Sequence, residues 1–289
     1  MKKVLAFVFL LGCLFGTKPL FADVMFYDDA EDAPKVGSDW RLINPYNKSS
    51  INASGEQART GNKSYKYSFV PDSSVNGGIH IELRMQARGV SNFSYNRDYW
   101  MGYSVYIPSD FVFPDDRKNE WVLLGQFHGI ADACETAKQG PVMAFYVDGE
   151  LGAFKQTIGS VKDFCFNGNN INRRYYTSFP PLKKGAWNDV VMNFRYNYND
   201  SGNPFFKVWI DGKLIVDDKG PNCYNDAVPP FFKMGIYSKS SRKMTVFYDE
   251  IRVGDENSSY EEVAPRGSRR VETNAGLEAP TLRLVPTNN

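Results

Sequence analysis

The sequence predicts an all-β sandwich of two antiparallel sheets. Three observations carry this expectation. Short runs alternate apolar and polar residues from about Asp23 to Gly254, aromatic residues make up 15% of the chain, and Gly, Asn, Asp and Pro punctuate the runs throughout. Alternation with a period of two, bounded by turn residues, marks half-buried strands, and hardly any stretch shows the 3.6-residue period of an amphipathic helix. A length of 289 residues suits one such domain with long loops, and no internal repeat divides it.

The chain opens on Met1-Lys2-Lys3 and an unbroken apolar run from Val4 to Leu11. This is the layout of a signal peptide, with cleavage expected after Ala22. The run is shorter than the roughly 20 apolar residues that a membrane-spanning helix needs. Leu10-Leu11-Gly12-Cys13 loosely resembles a bacterial lipobox, but a second apolar stretch follows and Leu11 is bulky. Export to the medium or periplasm therefore ranks ahead of lipid anchoring through Cys13. Loss of residues 1–22 removes Lys2, Lys3 and Lys18 and no acid, leaving 31 basic against 33 acidic side chains, so the formal charge moves from +1 to −2. Nucleic acid and densely sulfated glycans call for a strong basic excess, which is missing.

Next come the strands. Alternation predicts them at Ile79–Gln86, Trp100–Ile107, Val122–His128, Val142–Asp148, Asp189–Tyr196, Phe205–Ile210, Phe231–Tyr237 and Met244–Val253. Asp211-Gly212 between two apolar runs is a tight hairpin turn. Ala131–Gly140 and Phe164–Pro181 read as long insertions. Cys134, Cys165 and Cys223 lie in loop-like surroundings; in an exported protein one disulfide is expected, and Cys134 with Cys165 fits best because both flank one insertion. No CxxC or His-rich spacing points to structural zinc. The domain is expected over 23–257. Residues 258–289, polar and poor in large apolar side chains, read as a disordered tail.

Three strands collect chemistry on one face. In Ile79–Gln86 the apolar residues Ile79, Ile81, Leu83 and Met85 should enter the core, which turns His80, Glu82, Arg84 and Gln86 to the other surface. In Val122–Gly129, Gln126 and His128 share a face and Phe127 points the opposite way. In Phe231–Tyr237, Lys233, Gly235 and Tyr237 share a face, and a glycine inside a strand suits close approach of a ligand. Any one of these is explained by a solvated sheet surface. Together they place Arg, Gln, Lys, Tyr and both histidines of the chain on one face, with Tyr103 and Tyr106 on a further strand available to stack on sugars.

At these residues the chain resembles the jelly-roll, concanavalin A-like polysaccharide lyases that include alginate lyases, glucuronan lyases and the heparin-lyase-I type. Those enzymes carry R-[ST]-E-L-R, Q-[IV]-H and Y-F-K-x-G-x-Y strands. The counterparts are His80-Ile81-Glu82-Leu83-Arg84, Gln126-Phe127-His128 and Phe231-Phe232-Lys233-Met234-Gly235-Ile236-Tyr237, in the same order. The runs Tyr99–Pro108 and Tyr248–Gly254 are similar as well, so the likeness extends from about residue 25 to 256. One departure is His80, where the alginate-lyase motif has an arginine for the substrate carboxylate; this leaves glucuronan-like and glycosaminoglycan-like substrates open beside alginate.

The resemblance implies β-elimination at a uronate held in a concave groove. The carboxylate must be neutralised before the C5 proton can leave, which falls to Gln126 and Arg84 with help from His80. Tyr237 and His128 are the candidates for base and acid; histidine titrates near neutrality, and a tyrosine base would need its pKa lowered by Lys233 or Arg84. Glu82, Lys233 and Tyr103 complete the expected substrate surface. No cofactor is required, and calcium-containing relatives imply a structural Ca²⁺ on loop oxygens. The expected partner is an anionic polysaccharide met by a monomer. A glucanase of the same shape would need two facing carboxylates, and the E-x-D-x-x-E strand is absent. The remaining alternative is a non-catalytic lectin-like or laminin-G-like module, which fold alone does not exclude.

Overall fold

The structure is a computed structural model. It describes residues 24–43, 48–72, 74, 78–114, 120–136, 139–148, 151–158, 165, 172–176, 181–271 and 282–284. The expected signal peptide, Cys13 and most of the Phe164–Pro181 insertion lie outside these residues. In chain order the strands are β1 (Val24–Asp28), β2 (Trp40–Ile43), β3 (Ser50–Ser54), β4 (Ser64–Phe69), β5 (Ile79–Met85), β6 (Asp98–Ile107), β7 (Val122–Ile130) and β8 (Pro141–Asp148). They continue with β9 (Leu151–Ile158), β10 (Asn172–Tyr176), β11 (Ala186–Arg195), β12 (Phe205–Ile210), β13 (Lys213–Lys219), β14 (Val228–Ser238), β15 (Met244–Gly254) and β16 (Leu282–Leu284), with one short helix α1 (Tyr260–Val263) before β16.

Two antiparallel sheets form, one ordered β13-β12-β11-β6-β15-β4-β3 with β1 also on β15, the other β16-β10-β9-β8-β7-β14-β5-β2. The inner faces make the core. From the second sheet Ile81, Leu83, Phe127, Phe232 and Met234 enter it; from the first come Tyr103, Phe194, Tyr196 and Tyr248. Phe127 meets Phe93, Phe194, Tyr196 and Phe232 in edge or tilted contacts. Burying each such ring stabilises the sandwich by about 1.5–3 kcal/mol. Tyr248 reaches across from β15, donating to the carbonyls of Leu124 and Gly235. It thereby satisfies the backbone where the β7–β14 ladder is irregular between Met234 and Tyr237.

The eight strands predicted from alternation are all present. Of the strands missed, β10 and β13 are polar or lack alternation, as in Asn172-Arg173-Arg174-Tyr175-Tyr176, whereas β4, Ser64-Tyr65-Lys66-Tyr67-Ser68-Phe69, alternates and was legible. The Asp211-Gly212 turn has φ of 49° and 79°, the pair of positive values that a type I′ hairpin requires. Cys134 and Cys165 are bonded, closing a separation of 31 residues, a constraint worth about 3–4 kcal/mol in the chain-entropy account. Cys223 is a buried free thiol.

The boundary expected at residue 257 is corrected. Tyr260, Val263 and Ala264 are buried against Val191 and Trp209 on the outside of the first sheet. A fully buried Arg252 donates to the carbonyl of Ala264 at 2.8 Å and to Glu250, and Glu250 accepts the backbone N–H of Arg266 at 3.2 Å. This clasp continues the folded domain to residue 271; residues 272–281 and 285–289 of the expected tail are outside the described region. No helix among the described residues is long and apolar enough to cross a membrane.

Candidate active site

β7, β14 and β5 lie side by side, and their register decides which polar residues meet. Lys233 is opposite Gln126 on one side and Arg84 on the other; Tyr237 is opposite Leu123 and His80; Gly235 is opposite Glu82. The alternation of β5 holds as expected. Ile79, Ile81, Leu83 and Met85 are buried inward, and His80, Glu82 and Arg84 lie on the other face.

Glu82 is the hub. Its side chain is only 1% exposed. Oε1 accepts the Gln126 amide at 2.5 Å, and Oε2 takes His80 Nδ1 at 2.6 Å and Lys233 Nζ at 3.0 Å. Burial alone would push its pKa up; Lys233, His80 and Gln126 outweigh this and hold the carboxyl below its ordinary value. A carboxylate so enclosed does not reach substrate, which corrects the expectation that Glu82 binds sugar. Gln126 is likewise fully buried, with Nε2 given to Glu82 and Oε1 unpaired. It sits in the floor of the site rather than at its surface.

Above this floor the His80 ring stacks on Tyr237, with centroids 3.5 Å apart and planes 14° from parallel, and Trp121 meets Tyr237 edge-on at 4.6 Å. Gly78 is the residue that sequence reasoning missed: a Cβ there would run into the rings of Tyr237 and Trp121. Because Glu82 only accepts, His80 Nδ1 carries the proton of their hydrogen bond, and the lone pair of the neutral ring is on Nε2. The side chain of His80 is 27% exposed. Burial, and then the charge of Glu82, raise the Tyr237 pKa. That direction is the opposite of the lowering a tyrosine base would require, and it suits a hydroxyl that acts as a proton donor.

His128 is further along β7, opposite Phe231 and five positions from the residue facing Tyr237, about 16 Å along the backbone at a normal strand rise, yet Lys233, Glu82 and His80 are all close enough to act on its charge. Its Nδ1 donates to the Gly129 carbonyl at 2.8 Å. Burial lowers its pKa against that bond, with Lys233 adding to the lowering, so the ring is neutral. Arg84 is in the same end of the site, its guanidinium 3.7 Å from the centroid of Phe231. Though opposite Lys233 on the ladder, among the described residues it forms no hydrogen bond or ion pair with the Glu82 cluster, and burial followed by neighbouring Arg41 lowers its pKa.

Two further expectations are corrected. Tyr103 is on β6 of the opposite sheet, 1% exposed and packed against Phe232 and Tyr248, so it is core and meets no sugar; Tyr106 packs on Trp187 and Phe247 of that same sheet. Gly235 has φ of 135°, and a Cβ there would strike the Ile81 carbonyl and approach Tyr67 to 2.7 Å. Backbone conformation and packing require the glycine, not a ligand.

Away from this face, Asp132, Glu135 and Asp226 bring carboxylate oxygens within 4.8 Å of one another. Gln139 Nε2 bridges Glu135 at 3.0 Å and Asp226 at 2.6 Å, while Glu135 Oε2 and Gln139 Oε1 are buried without partners. An all-oxygen donor set with unspent lone pairs fits a hard cation such as Ca²⁺.

The fold matches solved lyases. The endo-β-1,4-glucuronan lyase of the fungus Trichoderma reesei aligns with a TM-score of 0.66 at 18% identity, over 84% of this chain and 99% of that one. The alginate lyase vAL-1 from Chlorella virus aligns at 0.51 and 14% identity, over 81% and 100%. Among curated protein sequences none matches. The sequence model of the family described as polysaccharide lyase matches residues 35–252, a span that contains all three strands of the site, and the chain belongs to that family.

Proposed function

We propose that this lyase cleaves a uronic-acid polysaccharide by β-elimination, with His80 as base and Tyr237 as acid. The observation that carries this is the His80–Tyr237 stack, with His80 oriented by Glu82. Nε2 of His80 takes the C5 proton; the electrons form the C4–C5 double bond as the C4–O bond breaks; the Tyr237 hydroxyl protonates the departing oxygen. Solvent then returns the proton from His80 to Tyr237. Transfer by positioned groups of this kind contributes about 10²–10⁴-fold.

The donors of the floor act on the charge that develops at the uronate carboxylate. Lys233 has two N–H groups beyond the one on Glu82, and Glu82, itself held by the buried Gln126 amide, keeps these donors at a fixed place before the reaction. The glucuronan lyase likeness favours β-1,4-glucuronan as the polymer. The test is ultraviolet absorbance of the unsaturated uronate product on glucuronan, alginate, hyaluronan, chondroitin and heparin. Activity on one polymer that disappears in both His80→Asn and Tyr237→Phe supports the reading; glycan binding with no unsaturated product from any of them supports a lectin-like module.

The Asp132–Glu135–Asp226 cluster with the Gln139 oxygen is the seat this reading gives to a structural Ca²⁺. Cys134 falls between two of these acids, so the disulfide steadies the loop that carries them. A bound ion would stabilise the fold by mass action. Calcium titration followed by calorimetry, with Asp226→Asn as control, tests it. No heat and no change in melting temperature would remove the ion from the account.

The bonded cysteines fit an oxidising compartment, and export is the localisation this reading carries forward.

A further inference from the structure

Arg84 and Arg41 are cations that the proton-transfer pair does not use. They face each other directly across the β5–β2 ladder, which puts both side chains on one face with Cβ atoms about 5 Å apart. Arg84 is half-buried and Arg41 exposed. Among the described residues neither meets an acid: Glu82, the carboxylate nearest in the sheet, is taken up by His80, Gln126 and Lys233.

Opposed like charges destabilise a ladder. A local conflict of that kind marks a functional site when a ligand supplies what is missing. Here the missing part is an anion, and paired planar guanidiniums match a carboxylate bidentately.

Position then says which carboxylate. Arg84 is four residues from His80 on one strand, about 13 Å away. Its guanidinium lies on Phe231, which pairs with His128 rather than with the residue facing Tyr237. The carboxylate of the sugar being cleaved is bonded to the very C5 whose proton His80 removes, so it stays beside His80.

We propose that Arg41 and Arg84 form a second carboxylate subsite, which holds the uronate of another sugar unit in the same chain. This rests on reading the site as a uronate lyase. The substrate is then a polymer with carboxylates on more than one unit in the groove, and Arg41, on the edge strand, contributes to affinity rather than to the chemical step.

The test measures β-1,4-linked oligoglucuronates of two and six units by calorimetry in the Tyr237→Phe background, with and without Arg41→Gln, and repeats the comparison as kcat and KM in the active enzyme. The expected result is a roughly tenfold weaker hexamer, equivalent to about 1.4 kcal/mol, an unchanged dimer, a raised KM and an unaltered kcat. Equal hexamer affinity with and without Arg41 overturns the subsite. An equal loss for dimer and hexamer also overturns it, because the contact would then be to the cleaved sugar. Arg41-dependent hexamer binding by an enzyme that forms no unsaturated product would retain the subsite and remove the lyase reading; no binding of either oligomer, with no product, would remove both.

Discussion

Glu82→Gln is the substitution that most directly probes how the site is held together. The side chain keeps its volume and one acceptor oxygen but loses the charge that neutralises Lys233, itself only 9% exposed at the side chain. Removing one partner of a buried pair costs about 3–5 kcal/mol, and retention of shape puts this case near the lower end, about 3 kcal/mol. At about 2–4 °C per kcal/mol for a domain of this size, the melting temperature should fall by about 6–12 °C at neutral pH.

The pH dependence has a definite sign. The Glu82 carboxyl is held below its ordinary value of 4.5, so its contribution is complete above that value and is lost as pH falls through the lowered one. The gap between wild type and variant should stay constant down to about pH 5 and close below it. Lys233→Met added to Glu82→Gln should recover part of the stability, since the stranded cation is gone. Activity should not recover, because Gln126 and His80 have lost their anchor. Differential scanning calorimetry across pH, with rates on the preferred polymer, measures both. A Glu82→Gln enzyme that melts with the wild type at neutral pH, or a gap that persists unchanged far below pH 4.5, would refute the view that this carboxylate organises the site.

Three more outcomes follow from the same geometry. His80→Asn should lower kcat by at least about 10²-fold, the lower end for loss of a general base, and His128→Asn by far less; the reverse order in steady-state rates would return the base to His128. Because the Tyr237 pKa is raised above its ordinary 10.0 and the protonated form is the working acid, the alkaline limb of kcat should fall above that value, and a limb well below it in the pH–rate profile would sink Tyr237 as the acid. Gly78→Ala should push Tyr237 and Trp121 out of place, reducing kcat by about tenfold or more, since a misplacement of about 1 Å can cost 10²-fold; an unaltered kcat would show that the rings have room to yield.

Much of this protein was legible in the order of its residues. Side chains of a strand alternate between two faces, so Ile79, Ile81, Leu83 and Met85 could be assigned to the core and His80, Glu82 and Arg84 to the other surface without coordinates. The positive-φ turn at Asp211-Gly212 and the Cys134–Cys165 bond were equally readable, because each follows from local chemistry. The missed packing of 258–271 has a local cause too. Its apolar contribution is confined to Tyr260, Val263 and Ala264, too few to stand out in a polar segment.

Tertiary structure alone decided who meets whom. Parity within β6 groups Tyr103 with Tyr99, Met101 and Val105, but it does not say that β6 belongs to the opposite sheet, and so Tyr103 is core. Parity within β14 and β7 puts Tyr237 and His128 on usable faces, yet the ladder sets Tyr237 beside His80 and leaves His128 five positions away. The burial of Glu82 under Lys233, Gln126 and His80 likewise needs three strands at once. The pleat is a property of each strand and is written along it, whereas register and sheet membership come from contacts between residues far apart in sequence, which form only when the whole sandwich closes.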